Sequence, residues 1–281
     1  MTPRYPYLHV DVPSEESENI SAELWDWGAQ GIEERDASTI AGPEVGVTLV
    51  AYFEELPAAE SARAHFAQRF NARIEFVVGD AWRDAWRDYF HPTRVGARLV
   101  VKPSWEPYAP LPQDVVITID PGRAFGSGIH ETTRLCLREL DRWVVPGQRV
   151  LDVGCGSGIL AVAAALLGAE ALAIDNDDDA LPVARGNAEN NRVAERVTVD
   201  NTPVDDVQGE FPLVVANIEA RVLTPLADAI RKRVAPGGIL ILSGVLRGQE
   251  TEICDAFAPL VCILLPFENE WLAPVLRAPE R

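Results

Sequence analysis

The chain has 281 residues, a length that fits one large domain or two of ordinary size. Hydrophobic residues make up 47% and charged residues 24%, which is typical of a globular protein that can bury a full core. The formal net charge of −18 argues against binding to a nucleic-acid backbone, because that affinity depends on Lys and Arg side chains that neutralise phosphates. It permits a cationic partner, although acidic surfaces mainly serve solubility.

The cysteines are widely spaced and form no CxxC motif: Cys136, Cys155, Cys254 and Cys262. They match neither a disulfide framework nor a zinc site, so we expect a cytoplasmic protein without a bound metal. The N-terminus has no basic segment followed by a long apolar stretch, so no signal peptide is expected. The apolar run at 159–174 is shorter than the roughly 20 residues of a membrane helix, and we predict a buried helix followed by a buried strand.

The first eighty residues are predicted to form a small α+β domain. Strands are expected at 7–12, 31–36, 45–54 and 72–78, and helices at 17–29 and 57–70. Within the first helix, Ile20, Leu24 and Trp27 share one face. The order βαββαβ is that of a ferredoxin-like fold, and no residue in it points to catalysis. We therefore assign residues 1–80 to substrate recognition.

A connecting segment follows. Residues 80–90 are predicted to be helical, with Trp82 and Trp86 on one face, and a strand is expected to begin at 98 and end at Pro103. We assign residues 81–103 to this linker helix and connecting strand, and residues 104–281 to a second domain.

The second domain shows strands alternating with helices, which predicts a parallel α/β sheet. The strands are expected at 149–154, 171–175, 197–201, 213–218 and 238–245. A helix at 248–258 then leads to a closing pair of strands at 261–266 and 271–276. Dinucleotide dehydrogenases usually continue with parallel units, whereas methyltransferases end with an antiparallel insertion, so this ending favours a methyltransferase.

A glycine-rich loop joins the first strand of this sheet to a helix. Gly154, Gly156 and Gly158 allow a tight turn and close approach of a ligand to the backbone. The free N–H groups of the helix would hold a pyrophosphate in a dinucleotide enzyme, or face the methionine carboxylate and ribose in a methyltransferase. Asp175 ends the second strand, where an acid accepts hydrogen bonds from ribose hydroxyls. Asp152 favours the methyltransferase, but NAD binding stays open.

Asn217 ends the fourth strand, at the sheet edge where ligands bind in open α/β sheets. Methyl transfer is an in-line displacement, so the enzyme mainly aligns the nucleophile with the methyl group. The asparagine carbonyl is suited to hold an uncharged amine in that position. Glu219 has two interpretations: it attracts a cationic lysine, or it is an acid at a helix N-terminus, and we prefer the second.

A loop and a helix precede the sheet in the segment DPGRAFGSGIHETTRLCL. Thr132 or Thr133 is a candidate to cap this helix, and His130 is more often structural than catalytic when considered alone.

Three segments together carry a family resemblance: DPGRAFGSGIHETTRLCL, VLDVGCGSGILAVAA and VVANIEA. The chain resembles the PrmA family, which methylates ribosomal protein L11, and the resemblance extends over nearly the whole sequence. It implies a seven-stranded, Rossmann-like class I methyltransferase domain behind the small α+β domain, with S-adenosylmethionine as cofactor. The substrate it implies is a small protein methylated at lysine side chains and at its N-terminal amine.

The resemblance also implies the site residues. The family's cofactor contacts fall on Thr133, Gly154, Asp175 and Asn217, and we add Gly156 and Gly158 from the glycine loop. Asn217 is the principal catalytic candidate, and His130 is a second one. Three alternatives stay open: a lysine methyltransferase of the electron-transfer flavoprotein β subunit, an NAD-linked oxidoreductase, and a non-catalytic binding protein on the same fold.

Overall fold

The chain divides into two compact units, Met1–Tyr89 and Phe90–Arg281. The structure, a computed structural model, describes residues 4–35, 46–78, 91–119 and 130–280. The predicted connector helix at 80–90 and the glycine-containing loop at 125–128 lie outside the described residues.

The first unit is a four-stranded antiparallel sheet with two helices. Its elements are β1 (Arg4–Val12), α1 (Ser17–Asp26), β2 (Gly31–Arg35), β3 (Val47–Tyr52), α2 (Leu56–Phe66) and β4 (Asn71–Val78). The strand order is β2-β3-β1-β4, and every neighbouring pair is antiparallel. The predicted ferredoxin-like order of elements is confirmed.

The core of this unit forms because alternate residues of each strand point to the same face. Leu8 and Val10 of β1 are fully buried and pack with Leu24 of α1 and Phe66 of α2. The prediction for Trp27 was wrong. Helix α1 ends at Asp26, three residues early, and Trp27 is 38% exposed.

The second unit contains the remaining elements. They are β5 (Thr93–Arg94), β6 (Leu99–Lys102), β7 (Val115–Thr118), α3 (Glu131–Trp143), β8 (Arg149–Val153), α4 (Ile159–Leu166), β9 (Glu170–Ile174), α5 (Ala180–Asn190), β10 (Val197–Asp200), β11 (Phe211–Asn217), α6 (Ala220–Arg231), β12 (Val234–Ser243), β13 (Val245–Leu246), α7 (Glu250–Ala256), β14 (Val261–Leu264), β15 (Phe267–Glu268), β16 (Trp271–Leu272) and β17 (Val275–Arg277).

Seven of these strands form one sheet in the order β10-β9-β8-β11-β12-β17-β14. The first five run parallel, and β17 is antiparallel to both of its neighbours, β12 and β14. The strand order reverses between β8 and β11, and ligands bind beyond the carboxyl ends of the strands at such a point. The predicted seven-stranded methyltransferase fold is confirmed.

The closing segment differs from the prediction of one hairpin. Strand β14 pairs with β17 in the large sheet, whereas β16 leaves that sheet and pairs with β13 and β15. The closing strands are therefore divided between the main sheet, which contains β14 and β17, and a separate three-stranded sheet, which contains β15 and β16.

The predicted connecting strand is β6, which lies in a three-stranded sheet with β5 and β7. This sheet belongs to the second unit, so residues 91–103 group with that unit. The assignment of the units to substrate recognition and methyl transfer stays a prediction.

The apolar run at 159–174 forms the buried helix α4 followed by strand β9, as predicted. None of the helices in the described residues has the length and apolar composition that crossing a membrane requires.

Candidate active site

A cavity of about 780 Å³ lies at the carboxyl ends of β8, β9 and β11, next to the first turn of α3. A volume of this size is typical of small-molecule sites. The cavity is lined by six of the seven predicted site residues: His130, Thr133, Gly154, Gly156, Asp175 and Asn217. Gly158 is not among the lining residues.

The glycine loop is hydrogen-bonded to the end of the neighbouring strand β9. The N–H groups of Gly154 and Cys155 donate to the carbonyl oxygen of Ile174, at 2.8 and 3.0 Å. Gly154 has φ +69°, a conformation that residues with a Cβ rarely adopt, and a Cβ there would lie 2.8 Å from the Ile218 side chain. The loop therefore requires glycine where it forms the cavity wall.

Asp175 is fixed by the loop that it faces. One carboxylate oxygen accepts the Gly156 N–H at 2.7 Å, and the other accepts the Asp177 N–H at 3.0 Å. A carboxylate has about four acceptor positions, so these two bonds leave capacity for ligand hydroxyls. The acid is thus oriented before any ligand binds.

Gly158 packs against a neighbouring helix, and its predicted ligand contact stays a prediction. It precedes α4 with φ +75°, and a Cβ there would lie 2.9 Å from the Cβ of Ala184. The residue allows α4 to approach α5 closely, and the structure does not bring it to the cavity.

Asp152 lies beneath the glycine loop and is fully buried. One oxygen accepts the Ala161 N–H at 3.1 Å. Burial, together with the negative charge of Asp175, raises the pKa of Asp152 to about 7. The sequence identified this residue only as favouring a methyltransferase.

Asn217 and Thr133 meet at the cavity, although 84 positions separate them in the chain. The Asn217 Nδ2 group donates to the Thr133 hydroxyl oxygen at 3.3 Å, and Thr133 is fully buried in α3. The hydrogen bond from the amide nitrogen to Thr133 fixes the orientation of the Asn217 side chain. The carbonyl oxygen of the same amide is then the atom that accepts a hydrogen bond from a ligand.

The chain matches the model of the family described as "Ribosomal protein L11 methyltransferase (PrmA)" over residues 4–278. The chain belongs to this family. The Sorangium cellulosum ribosomal protein L11 methyltransferase is 45% identical over 269 residues, which cover 92% of this chain and 85% of the relative. The corresponding protein of Syntrophotalea carbinolica is 41% identical over 276 residues, covering 89% and 90%.

A solved structure agrees with this assignment. The ribosomal protein L11 methylase of Lactobacillus delbrueckii subsp. bulgaricus aligns with a TM-score of 0.63 at 34% identity, covering 68% of this chain and 100% of that one. The PrmA family is a methyltransferase family, so the oxidoreductase hypothesis loses its basis.

His130 is the N-cap of α3, so the expectation that a threonine caps this helix was wrong. The Nδ1 atom of His130 accepts the Thr132 N–H at 3.3 Å, while Thr132 and Thr133 lie inside the first turn. The His130 ring also meets the ring of Trp271 edge-on, with centroids 5.2 Å apart. The residue caps the helix and lines the cavity at once.

Glu219 lies at the N-cap of α6 without a side-chain capping bond. Its carboxylate is 63% exposed and accepts from the Nε of Arg221 at 2.5 Å. The residue also lines the cavity. Its position is therefore compatible with both interpretations, an acid at a helix N-terminus and an acid that faces the ligand.

Trp271 was not predicted as a site residue, and the structure places it in the cavity lining. The signal available in the sequence was an aromatic residue within the closing antiparallel segment, and aromatic residues there are more often core.

Proposed function

We propose that this PrmA family member transfers methyl groups from S-adenosylmethionine to lysine amines of ribosomal protein L11, in the cytoplasm. The observation that carries the proposal is the Asn217 amide, which Thr133 orients at the edge of a cavity bounded by the glycine loop. The N-terminal amine of the substrate is a further candidate acceptor.

The cavity fits the cofactor in shape and in hydrogen-bonding groups. Gly154 and Gly156 line it with backbone, and a Cβ at position 154 would collide with Ile218. Asp175 is oriented to accept from the ribose hydroxyls, and the first turn of α4 offers N–H groups to the methionine carboxylate. Bound S-adenosylmethionine supplies an electrophilic methyl group on a sulfonium sulfur.

Asn217 holds and aims the nucleophile in this mechanism. A lysine amine has a pKa near 10.4 in water, so it must lose its proton before its lone pair can attack. The Asn217 carbonyl accepts an N–H of the neutral amine and directs the lone pair into the cavity. The amine releases its proton to solvent before it binds, and the Glu219 carboxylate at the cavity is paired with Arg221.

His130 contributes to the wall of the cavity. Its Nδ1 atom accepts the Thr132 N–H at 3.3 Å and lies 2.9 Å from the Thr132 hydroxyl oxygen, so this ring nitrogen is engaged with α3. The ring meets Trp271 edge-on and lines the cavity beside it.

The first unit is proposed to dock the protein substrate. It carries two exposed tryptophans at the end of α1, Trp25 at 53% and Trp27 at 38%. Exposed aromatic side chains are enriched among residues that dominate binding at protein interfaces.

The test is transfer of tritiated methyl groups from S-adenosylmethionine to purified ribosomal protein L11. Asn217→Ala is expected to lower transfer by roughly a hundredfold or more, since the amine loses its orientation. Binding of S-adenosylhomocysteine, followed by calorimetry, should weaken far less. The matched control is Asn190→Ala, at an exposed asparagine in α5.

Two outcomes contradict the proposal. Full turnover by Asn217→Ala removes this residue from the mechanism. Mass spectrometry that finds methylation of the electron-transfer flavoprotein β subunit, and none of ribosomal protein L11, assigns the chain to the alternative substrate.

A further inference from the structure

The small sheet β13–β16–β15 contributes Trp271 to the lining of the cavity. Trp271 of β16 lies directly opposite Leu246 of β13 and Glu268 of β15. Side chains at directly opposed positions project to the same face of a sheet. Glu268 and Trp271 therefore face the same way, and Trp271 lines the cavity.

Glu268 ties this sheet to helix α3. The Arg134 Nε group donates to one carboxylate oxygen of Glu268 at 2.9 Å, and Arg134 Nη2 donates to the same oxygen. The Arg138 Nη1 atom lies 2.7 Å from the other oxygen. The two arginines are one turn apart and present one face of the helix to a single carboxylate.

The side chains in this contact are mostly buried, so we expect the contact to stabilise the structure more than a surface ion pair does. The side chains of Arg134 and Glu268 are 18% and 23% exposed. Pairs at this depth are screened less by water and salt than exposed pairs, whose contribution is small. Two cations on one carboxylate also restrain the strand more tightly than a single contact does.

A second set of contacts joins the same two elements. Asn269, in the turn after β15, adopts φ +53° and donates from Nδ2 to a carboxylate oxygen of Glu131 at 3.1 Å. Next to it, His130 meets Trp271 edge-on. The small sheet and its turn thus contact the start of α3 at three residues: His130, Glu131 and Arg134.

We propose that Glu268 is a positioning residue for the protein substrate. By holding the small sheet against α3, it fixes Trp271 and His130 as a rigid wall along which the substrate side chain enters the cavity. This inference rests on the proposed function. A purely structural role for Glu268 would change stability and cofactor binding together, whereas positioning changes use of the protein substrate.

The variant that tests this is Glu268→Gln, which keeps the shape and removes the charge. Its kcat/KM for ribosomal protein L11 is expected to fall about tenfold or more, since small displacements of substrate-positioning groups have effects of this size. The affinity for S-adenosylhomocysteine should stay within about twofold, because Glu268 does not line the cavity. Glu268→Asp, which restores the charge, should recover part of the loss.

A measurement that does not use activity follows the position of Trp271. The chain has seven tryptophans, so the fluorescence of Trp271 is obtained by subtracting the signal of the same protein with Trp271→Phe. The quenching of this difference signal by acrylamide is then measured for each protein. Quenching should increase in Glu268→Gln and in Arg134→Lys. It should not increase in Arg142→Gln, the matched control, which breaks an Arg–Glu pair in the last turn of the same helix.

The outcomes separate this inference from the proposed function. Unchanged quenching in both variants, wild-type kcat/KM in Glu268→Gln, or a parallel loss of cofactor affinity overturns the positioning role. A wild-type enzyme that transfers no methyl group to ribosomal protein L11 overturns the proposed function alone, and the quenching comparison still decides whether Glu268 holds Trp271.

Discussion

The buried carboxyl of Asp152 predicts a pH dependence of stability with a definite sign. Its pKa is raised to about 7 in the folded protein, from 3.8 in the unfolded chain. Between these values the folded state keeps a proton that the unfolded state releases, so the free energy of unfolding falls as pH rises. The loss is complete once pH exceeds the folded pKa.

The magnitude follows from linkage. Each pH unit inside the window is worth about 1.4 kcal/mol, so raising pH from 5 to 7 costs the wild type about 3 kcal/mol from this group. Asp152→Asn mimics the protonated carboxyl and does not titrate. Its amide oxygen can keep the bond from Ala161, and the Asp152 Oδ1 atom that its nitrogen replaces has no hydrogen-bond partner among the described residues.

The assay is guanidinium unfolding of both proteins between pH 5 and pH 8, followed by circular dichroism. Asp152→Asn should gain stability relative to wild type as pH rises to about 7, and the difference should then level off. Asp255→Asn, which removes an exposed acid from α7, is the control for loss of one negative charge. A difference that stays constant from pH 5 to pH 8 would refute the reasoning.

The remaining predictions concern the glycine loop and the first unit. Gly154→Ala should weaken S-adenosylhomocysteine binding about tenfold or more in calorimetry, because the new Cβ strains the cavity wall. Gly158→Ala should lower the free energy of unfolding by about 1–3 kcal/mol, with a smaller effect on binding, because its Cβ meets α5. Equal effects of the two variants on binding would contradict the separate roles. Removing residues 1–80 should eliminate methylation of ribosomal protein L11 and leave S-adenosylhomocysteine affinity intact, and full-rate methylation by the shortened protein would reject docking by the first unit.

The sheet was predictable from sequence because its central strands are short buried runs between helices. Strand β9, for example, was expected at 171–175 and spans Glu170–Ile174. The ends of elements were less accurate, because they depend on single turns. Gly28, at φ +90°, follows the early end of α1, and the exposure of Trp27 was missed with it. The closing segment was misassigned because a local pattern indicates a strand without indicating its partner.

The candidate site was predictable to a similar degree. The glycine loop and Asp175 follow from spacing along one βαβ unit, so the sequence alone brings them together. The bond between Thr133 and Asn217 spans two distant segments, and only the family resemblance selected both residues. The contact of Glu268 with Arg134 had no sequence signal, because an acid and an arginine far apart in the chain are common and rarely pair.

The first turn of α3 has a consequence for how this enzyme can change. In the proposed mechanism, adjacent residues have two separate tasks: Thr133 holds the amide of Asn217, and Arg134 holds strand β15 next to the cavity. The strand itself carries neither the glycine loop nor Asp175. We therefore expect substitutions in β15 and β16 to change which substrate side chains enter the cavity and to leave the cofactor site unchanged. A shift of the first turn of α3 would affect both the entry of the substrate side chain and the alignment of its amine.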